Sequence, residues 1–478
     1  MASGIRLNRF GVDTKLTSPT RPRCLPWAST SIGSMYATPG ARNKATYASA
    51  LDVPVKPTET SMSPLARLPT SSVLRSLFLS IFFTSPLLFR PGLAVFKAIA
   101  TSELALLNPD RNPVLRAVIR PLVYDQFCAG RNVAEIKKTS SAIKQLGFSG
   151  VVLCYGKEVQ LDANNKPYGY GEGQMLNLED EVKQWQTGYL NTLKMVGPGD
   201  WLGVKLTGAG LNITKALLDG QSAPKEFVEA MEVVCRQAQS QGCRIWIDSE
   251  QQVLQKTIDE WTFDLMRRWN KGDKALVFNT VQAYLKCSRD KVEHQLQVAA
   301  KEGWRSAIKL VRGAYMSNDK RELIHDTKAE TDACYDSIVE DLLHGTGFSA
   351  FQSSPELKHD LVLAGHNTKT IRRAASMASD LASRRQLKVV PEFGQLQGMA
   401  DDIGCELLQL GENASRSAGS GMSFVPRVYK CLTWGSVREC MQYLTRRLVE
   451  NRGAADRMQE GAVQLRQELW RRLSFRSS

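Results

Sequence analysis

Eight short apolar runs, most followed by a helical pattern, restrict this chain more than any other feature. They span Phe148 to Gly156, Trp201 to Leu206, Arg244 to Asp248, Ala275 to Tyr284, Ser306 to Tyr315, Asp360 to Asn367, Leu387 to Phe393 and Phe424 to Leu432. Several are almost continuously apolar, as parallel strands covered on both faces must be. Between them, Lys225 to Gln239, Glu250 to Arg268, Lys291 to Lys301, Thr327 to Leu343 and Thr368 to Ser383 carry helical periodicity. Strand and helix alternating eight times predicts a closed barrel or a large doubly wound sheet. The sheet normally carries a glycine fingerprint after its first strand, and neither Gly169-Tyr-Gly171-Glu-Gly173 nor Gly208-Ala-Gly210 has that spacing. The expected fold is therefore α/β, a distorted (β/α)8 TIM-like barrel with an N-terminal helical extension, its active site at the C-terminal ends of the strands.

The 478 residues divide into a basic segment at 1–60, a helical region at 61–146, the barrel at 147–452 and a C-terminal helix at 453–478. Residues 1–60 set Arg6, Arg9, Lys15, Arg21, Arg23, Arg42, Lys44 and Lys56 against Asp13, Asp52 and Glu59 among many Ser, Thr and Pro, the composition of a mitochondrial transit peptide. A disordered basic tail has similar composition. The formal charge of +14 is spread along the chain without an aromatic-rich RNA signature, which argues against a nucleic-acid partner. Ser76 to Phe89 is apolar, too short to cross a bilayer and flanked by Arg75 and Arg90, so it reads as a packing or interfacial helix. Residues 157–199 read as a loop with a short helix around Leu178 to Leu193. Ten cysteines without a C-x-x-C pair suggest reduced thiols, and five histidines without H-E-x-x-H predict no metal site.

Polar residues gather at the predicted strand ends: Lys205, Asp248, Gln282, Lys309 with Arg312, and His366 with Asn367. The last helix bears an apolar stripe of Val437, Cys440, Met441, Leu444 and Leu448, expected to pack on the barrel, and a second stripe of Tyr443, Arg446, Arg447 and Glu450. By periodicity the second stripe is a solvent face with an Arg446/Glu450 pair. Two adjacent guanidinium groups also suit a carboxylate, by paired charge-assisted hydrogen bonds.

Five motifs in order, Lys309-Leu-Val-Arg-Gly-Ala-Tyr315, Thr327-Lys-Ala-Glu-Thr-Asp332, Gly365-His-Asn367, Glu392-Phe-Gly-Gln-Leu-Gln-Gly-Met399 and Tyr443-Leu-Thr-Arg-Arg-Leu-Val-Glu-Asn451, resemble those of the proline dehydrogenase family. Leu106-Leu-Asn-Pro-Asp-Arg-Asn-Pro-Val114, with the apolar run before it, is similar to the fungal mitochondrial branch, and the resemblance covers about residues 70–470. It implies non-covalent FAD across the barrel mouth, oxidation of L-proline to Δ1-pyrroline-5-carboxylate, electrons passed to a quinone, and a place on the matrix side of the mitochondrial inner membrane. By the same resemblance Arg446 and Arg447 clamp the substrate carboxylate and Lys205 adds a third positive charge. Asp248 is the active-site carboxylate, while Leu396 and Tyr443 contact the substrate ring. FAD is implied to meet Gln282, Lys309, Val311, Arg312, Gly313, Ala314, Thr327, Lys328, His366, Asn367, Gln395 and Glu450. The glycine followed by Ala314 permits close backbone approach.

One position departs from the family pattern. Where Val-Tyr-Lys-Tyr is usual, this chain has Val428-Tyr-Lys-Cys431, and hydroxyproline-using relatives have a small residue there, so trans-4-hydroxy-L-proline is a second candidate substrate. Two other classes stand beside these: a barrel lyase using Lys205 as a Schiff-base amine, which needs a depressed lysine pKa, and a non-catalytic membrane-associated binding protein.

Overall fold

The computed structural model describes residues 63–102, 104–162, 164–167, 177–316, 318–417, 423–452 and 455–474; the side chains at 83, 86, 101, 417, 442, 446–452 and 455–460 lie outside that description. The basic segment 1–60 lies wholly outside it.

The strands are β1 (Gly150–Tyr155), β2 (Trp201–Val204), β3 (Arg244–Ile247), β4 (Val277–Gln282), β5 (Ser306–Val311), β6 (His359–Ala364), β7 (Glu392–Leu396) and β8 (Arg427–Trp434). They close in sequence order into one barrel, and the β1–β8 seam is parallel like the rest. All eight expected strands form. The seventh begins five residues later than expected, because Pro391 has no N–H for a ladder and the apolar residues before it serve as lead-in. The helix Thr368–Ser383 has the expected bounds, capped by Asn367, whose side chain accepts the Thr370 amide at 3.1 Å. The helix Leu178–Leu193 also forms as expected, capped by Asn177.

One end of the barrel is filled by a polar and aromatic plug. The Arg244 guanidinium lies 3.8 Å from the centre of the Trp201 ring and donates to both oxygens of Glu392, at 2.9 and 2.5 Å, and to the Tyr429 hydroxyl at 3.1 Å. These residues come from β2, β3, β7 and β8, so their contact fixes which side chains point inward. Alternation then turns Gly203, Lys205, Trp246, Asp248, Lys309, Leu396, Cys431 and Cys154 into the lumen above the plug.

Upstream of the barrel, helices Thr70–Thr84 and Pro86–Thr101 meet at a sharp bend. No single described helix is long and apolar enough to cross a membrane, and the segments Thr70–Phe82 and Leu87–Ala100 pass that test only together, bent by 101°. The last two helices are Val437–Arg452 and Ala455–Ser474. Val437, Cys440, Met441 and Leu444 are buried, as their spacing requires, but in a second core with Leu79, Phe89, Phe96 and Tyr124. The stripe thus packs chiefly on the N-terminal helices, not on the barrel wall as expected.

Candidate active site

Lumen-facing residues at the C-terminal ends of the strands stay partly exposed, while the lumen below them is almost wholly buried. The barrel is therefore open at this end. Lys309 forms its floor at 7% exposure; its ammonium donates to Asp248 Oδ1 at 2.6 Å and sits 4.0 Å from the centre of the Trp246 ring. A buried ammonium held by a carboxylate and an aromatic face has its charge compensated from two sides.

Lys205, at the end of β2, does not pair with Asp248. Its ammonium lies 2.7 Å from Glu158, on the loop after β1, and donates to the Tyr315 hydroxyl at 2.9 Å. Burial opposes its charge, but Glu158, Tyr315, Asp248 and Glu250 outweigh that cost and hold the lysine well above its ordinary range. A Schiff-base lysine needs the reverse, which counts against the lyase reading. An ammonium has three N–H donors, and among the described residues two are taken. One remains for an anion entering the mouth.

Glu250 is buried near this group and accepts from the Thr207 backbone at 3.1 Å and from the Thr207 hydroxyl. Burial lifts its carboxyl to about 7, against the opposing pull of Lys205 and the Thr207 hydrogen bonds. The raised folded value means its stabilising contribution is complete below the ordinary carboxylate range and disappears as pH rises through about 7. Glu250→Gln should therefore gain on the parent protein with rising pH, by about 1–3 kcal/mol at pH 8 relative to pH 4. Urea unfolding of both proteins at the two pH values measures this; parallel curves would exclude it.

Gln282 ties two mouth loops together: its amide donates to Glu250 O at 3.2 Å and its oxygen accepts from Ala314 N at 3.4 Å. Gly313 has φ +141°, and a Cβ there would lie 2.2 Å from the Tyr284 ring, so the close approach this glycine permits is that of Tyr284. Val311 is half-buried at the strand end, and Gly313 and Ala314 are exposed at the mouth. Arg312 has its charge met within the protein, by Asp332 at 2.7 Å and Thr370 at 2.9 Å, with the Tyr335 ring 4.6 Å away. It clamps helix Lys328–His344 to helix Thr368–Ser383. Thr327 caps the first of these in a capping box with Glu330, and Lys328 pairs with Asp332. His366 Nε2 accepts the Leu396 amide at 3.0 Å, joining the ends of β6 and β7.

Leu396 and Tyr443 both pack against the second core, which brings the end of β7 and the last barrel helix together. That helix is held at its start by the N-terminal region. Asp110 accepts the amides of Val437 and Arg438 at 3.2 and 3.1 Å, and Tyr124 donates to Gly435 O at 2.6 Å. Asp110 lies in the Leu106 to Val114 motif, which thus supplies a helix cap. Arg446, Arg447 and Glu450 fall on the same helix, with side chains outside the described residues.

Gln395 does not join the group. Its side chain faces the helix layer outside the barrel, beside Lys430 at 3.5 Å and close to Gly404. Sequence reasoning missed Glu158, Trp246 and Glu250. The last two share the lumen-facing parity of Asp248 within Arg244-Ile-Trp-Ile-Asp-Ser-Glu250, whereas nothing in the sequence points to Glu158.

The residues fit a flavin dinucleotide. The mouth presents a buried cation in Lys309, the exposed Gly313 and Ala314 backbone, and the N-termini of two capped helices, the last suited to a pyrophosphate.

Residues 136–460 match the model of the family described as proline dehydrogenase. The chain is 29% identical over 452 residues to the probable mitochondrial proline dehydrogenase of Schizosaccharomyces pombe, covering 84% of this chain and 88% of that protein. It is also 29% identical over 408 residues to the hydroxyproline dehydrogenase of Mus musculus, covering 76% and 84%. Among solved structures, proline utilization A (PutA) from Bdellovibrio bacteriovorus, inactivated by N-propargylglycine, shares the fold at a TM-score of 0.56 and 19% identity, over 82% of this chain and 40% of that one. With a family match that takes in seven-tenths of the sequence and all eight strands, the chain belongs to the proline dehydrogenase family.

Proposed function

We propose that this protein oxidises L-proline to Δ1-pyrroline-5-carboxylate, with FAD as resident cofactor and a quinone as electron acceptor. The observation that carries this reading is the open mouth of a family barrel in which Lys205 is held protonated with a donor to spare. FAD supplies the acceptor for the hydride that leaves the ring carbon beside nitrogen. The chain's residues do the placing. Lys205, with Arg446 and Arg447 from the last barrel helix, binds the carboxylate, and Leu396 and Tyr443 bound the ring. Asp248 belongs to the substrate side of the mouth, held by Lys309. Gln282, Lys309, Val311, Arg312, Gly313, Ala314, Thr327, Lys328, His366, Asn367 and Glu450 make up the cofactor side, with Gln395 contributing through its backbone. Placement of this kind accounts for a large part of such a rate enhancement.

Purified protein should show flavin absorption that bleaches anaerobically on adding proline. Colourless protein that cannot be reconstituted with FAD would end the proposal. Arg447→Met should raise the proline KM at least ~10-fold, about 1.4 kcal/mol of lost binding, with a smaller change in kcat. An unchanged KM would remove this arginine from the clamp.

A second reading, hydroxyproline oxidation, is favoured by Cys431. It faces the lumen level with Leu396 and is partly exposed, which leaves room for a ring hydroxyl. The substrate that bleaches the flavin faster decides between them. We place the protein on the matrix side of the mitochondrial inner membrane after removal of a transit peptide within residues 1–60, with 61–146, 147–452 and 453–478 as helical extension, barrel and C-terminal helix. Exposed Leu74, Phe78, Ile81, Leu87, Leu88 and Val95 on the bent helix pair, interspersed with Arg75, Arg90 and Lys97, supply a surface for the lipid that holds a quinone.

A further inference from the structure

The open end of the barrel also carries a pair of thiols. Cys154 on β1 and Cys431 on β8 both face the lumen, both are partly exposed, and their sulfurs stand 3.6 Å apart. Gly203 on β2 faces them without a side chain. A Cβ there would lie 2.5 Å from Cys154 Sγ and 2.8 Å from Trp246 Nε1. The buried Trp246 N–H has no hydrogen-bond partner, so an unpaired donor lies beside the sulfurs.

The spacing selects what can join them. Cys154 is level with Thr433, and Cys431 with Val152, so the two cysteines are diagonal neighbours offset by two residues. That places their Cα atoms about 8 Å apart, beyond the roughly 7 Å within which a direct disulfide closes without backbone movement. A single atom bonded to both sulfurs at about 2.3 Å holds them roughly 3.3–3.8 Å apart, which is the spacing present. No group of three or more His, Cys, Asp and Glu able to hold a metal occurs among the described residues. The bridging centre therefore has to be one that two sulfurs satisfy.

We propose that Cys154 and Cys431 form a chelating dithiol for trivalent organoarsenicals at the mouth of the barrel. An arsenic(III) centre carrying one organic group is completed by two thiolate sulfurs. With an arsine oxide, two As–S bonds form and the arsenic–oxygen bond breaks. Both thiol protons leave with the oxygen as water, and nothing is oxidised or reduced. The second bond closes within one molecule, which gives the chelate its hold over adducts of single cysteines. Among the described residues the other thiols in contact, Cys128 and Cys440, are buried at 3% and 2% exposure, out of reach of the reagent.

The test is made on the full-length protein with one equivalent of phenylarsine oxide, followed by a 2-mercaptoethanol wash, intact mass and peptide mapping. One phenylarsenic group should survive the wash, bridge the peptides containing Cys154 and Cys431, and leave on adding dithiothreitol. Cys154→Ala and Cys431→Ser should each lower retention at least ~10-fold, while Cys128→Ala retains it in full. No retained arsenic, full retention in Cys431→Ser, or a bridge mapped to Cys128 and Cys440 would overturn the proposal. Mapping on the parent protein decides the matter even if a variant fails to fold, and the mass readout is independent of any substrate.

Discussion

Lys309→Met is expected to lower proline-oxidising activity at least ~100-fold, a loss of about 2.7 kcal/mol, and to destabilise the fold by about 3 kcal/mol. The substitution keeps the bulk of the side chain but strips Asp248 of the ammonium 2.6 Å away and leaves the Trp246 face without its cation. Both losses fall at the floor of the mouth, where little water can compensate. Adding Asp248→Asn removes the orphaned charge, so the double variant should regain most of the stability and none of the activity. Denaturant midpoints and steady-state rates on the three proteins separate the two effects. If the single variant unfolds like the parent, the pair is not the structural floor described.

The second large effect lies at the other end of the barrel. Arg244→Met should cost about 3–5 kcal/mol of stability, because it leaves Glu392 buried without its bidentate partner. It also withdraws the guanidinium stacked on Trp201. The change in kcat per folded molecule should be small, since Trp246 lies between the plug and Lys309. A companion Glu392→Leu should recover a large share of the loss. Thermal unfolding with active-site titration reads both quantities, and a fall in kcat that outpaces the loss of folded protein would show that the plug reaches the chemistry.

These pairings also show where sequence reasoning succeeds. The eight strands are legible because a parallel strand buried on both faces must be apolar along its length, and the turns between strands and helices are marked by caps such as Asn177 and Asn367. Strand-end polar residues are legible as a group, because a barrel gathers its strand ends at one rim. Which of them pair is not. Lys205 is adjacent to Asp248 in strand order, yet it turns to Glu158, because the loop after β1 brings that carboxylate over the rim and Lys309 already occupies Asp248. Side-chain direction within a motif is also not legible: parity along β7 puts Gln395 opposite Leu396, so a motif containing both residues cannot send both side chains inward. The stripe on the last barrel helix announces that it is buried but not against what, since its partners lie more than 300 residues earlier in the chain.

That last arrangement bears on how small this enzyme can be made. The helix carrying Arg446 and Arg447 has its first turn fastened by Asp110, its entry held by Tyr124, and its apolar flank covered by residues from the bent helix pair at 70–101. A shortened protein beginning near residue 130 would retain every strand of the barrel and lose all three supports. Trimming to the barrel alone would thus yield a sound vessel with an unsecured lid.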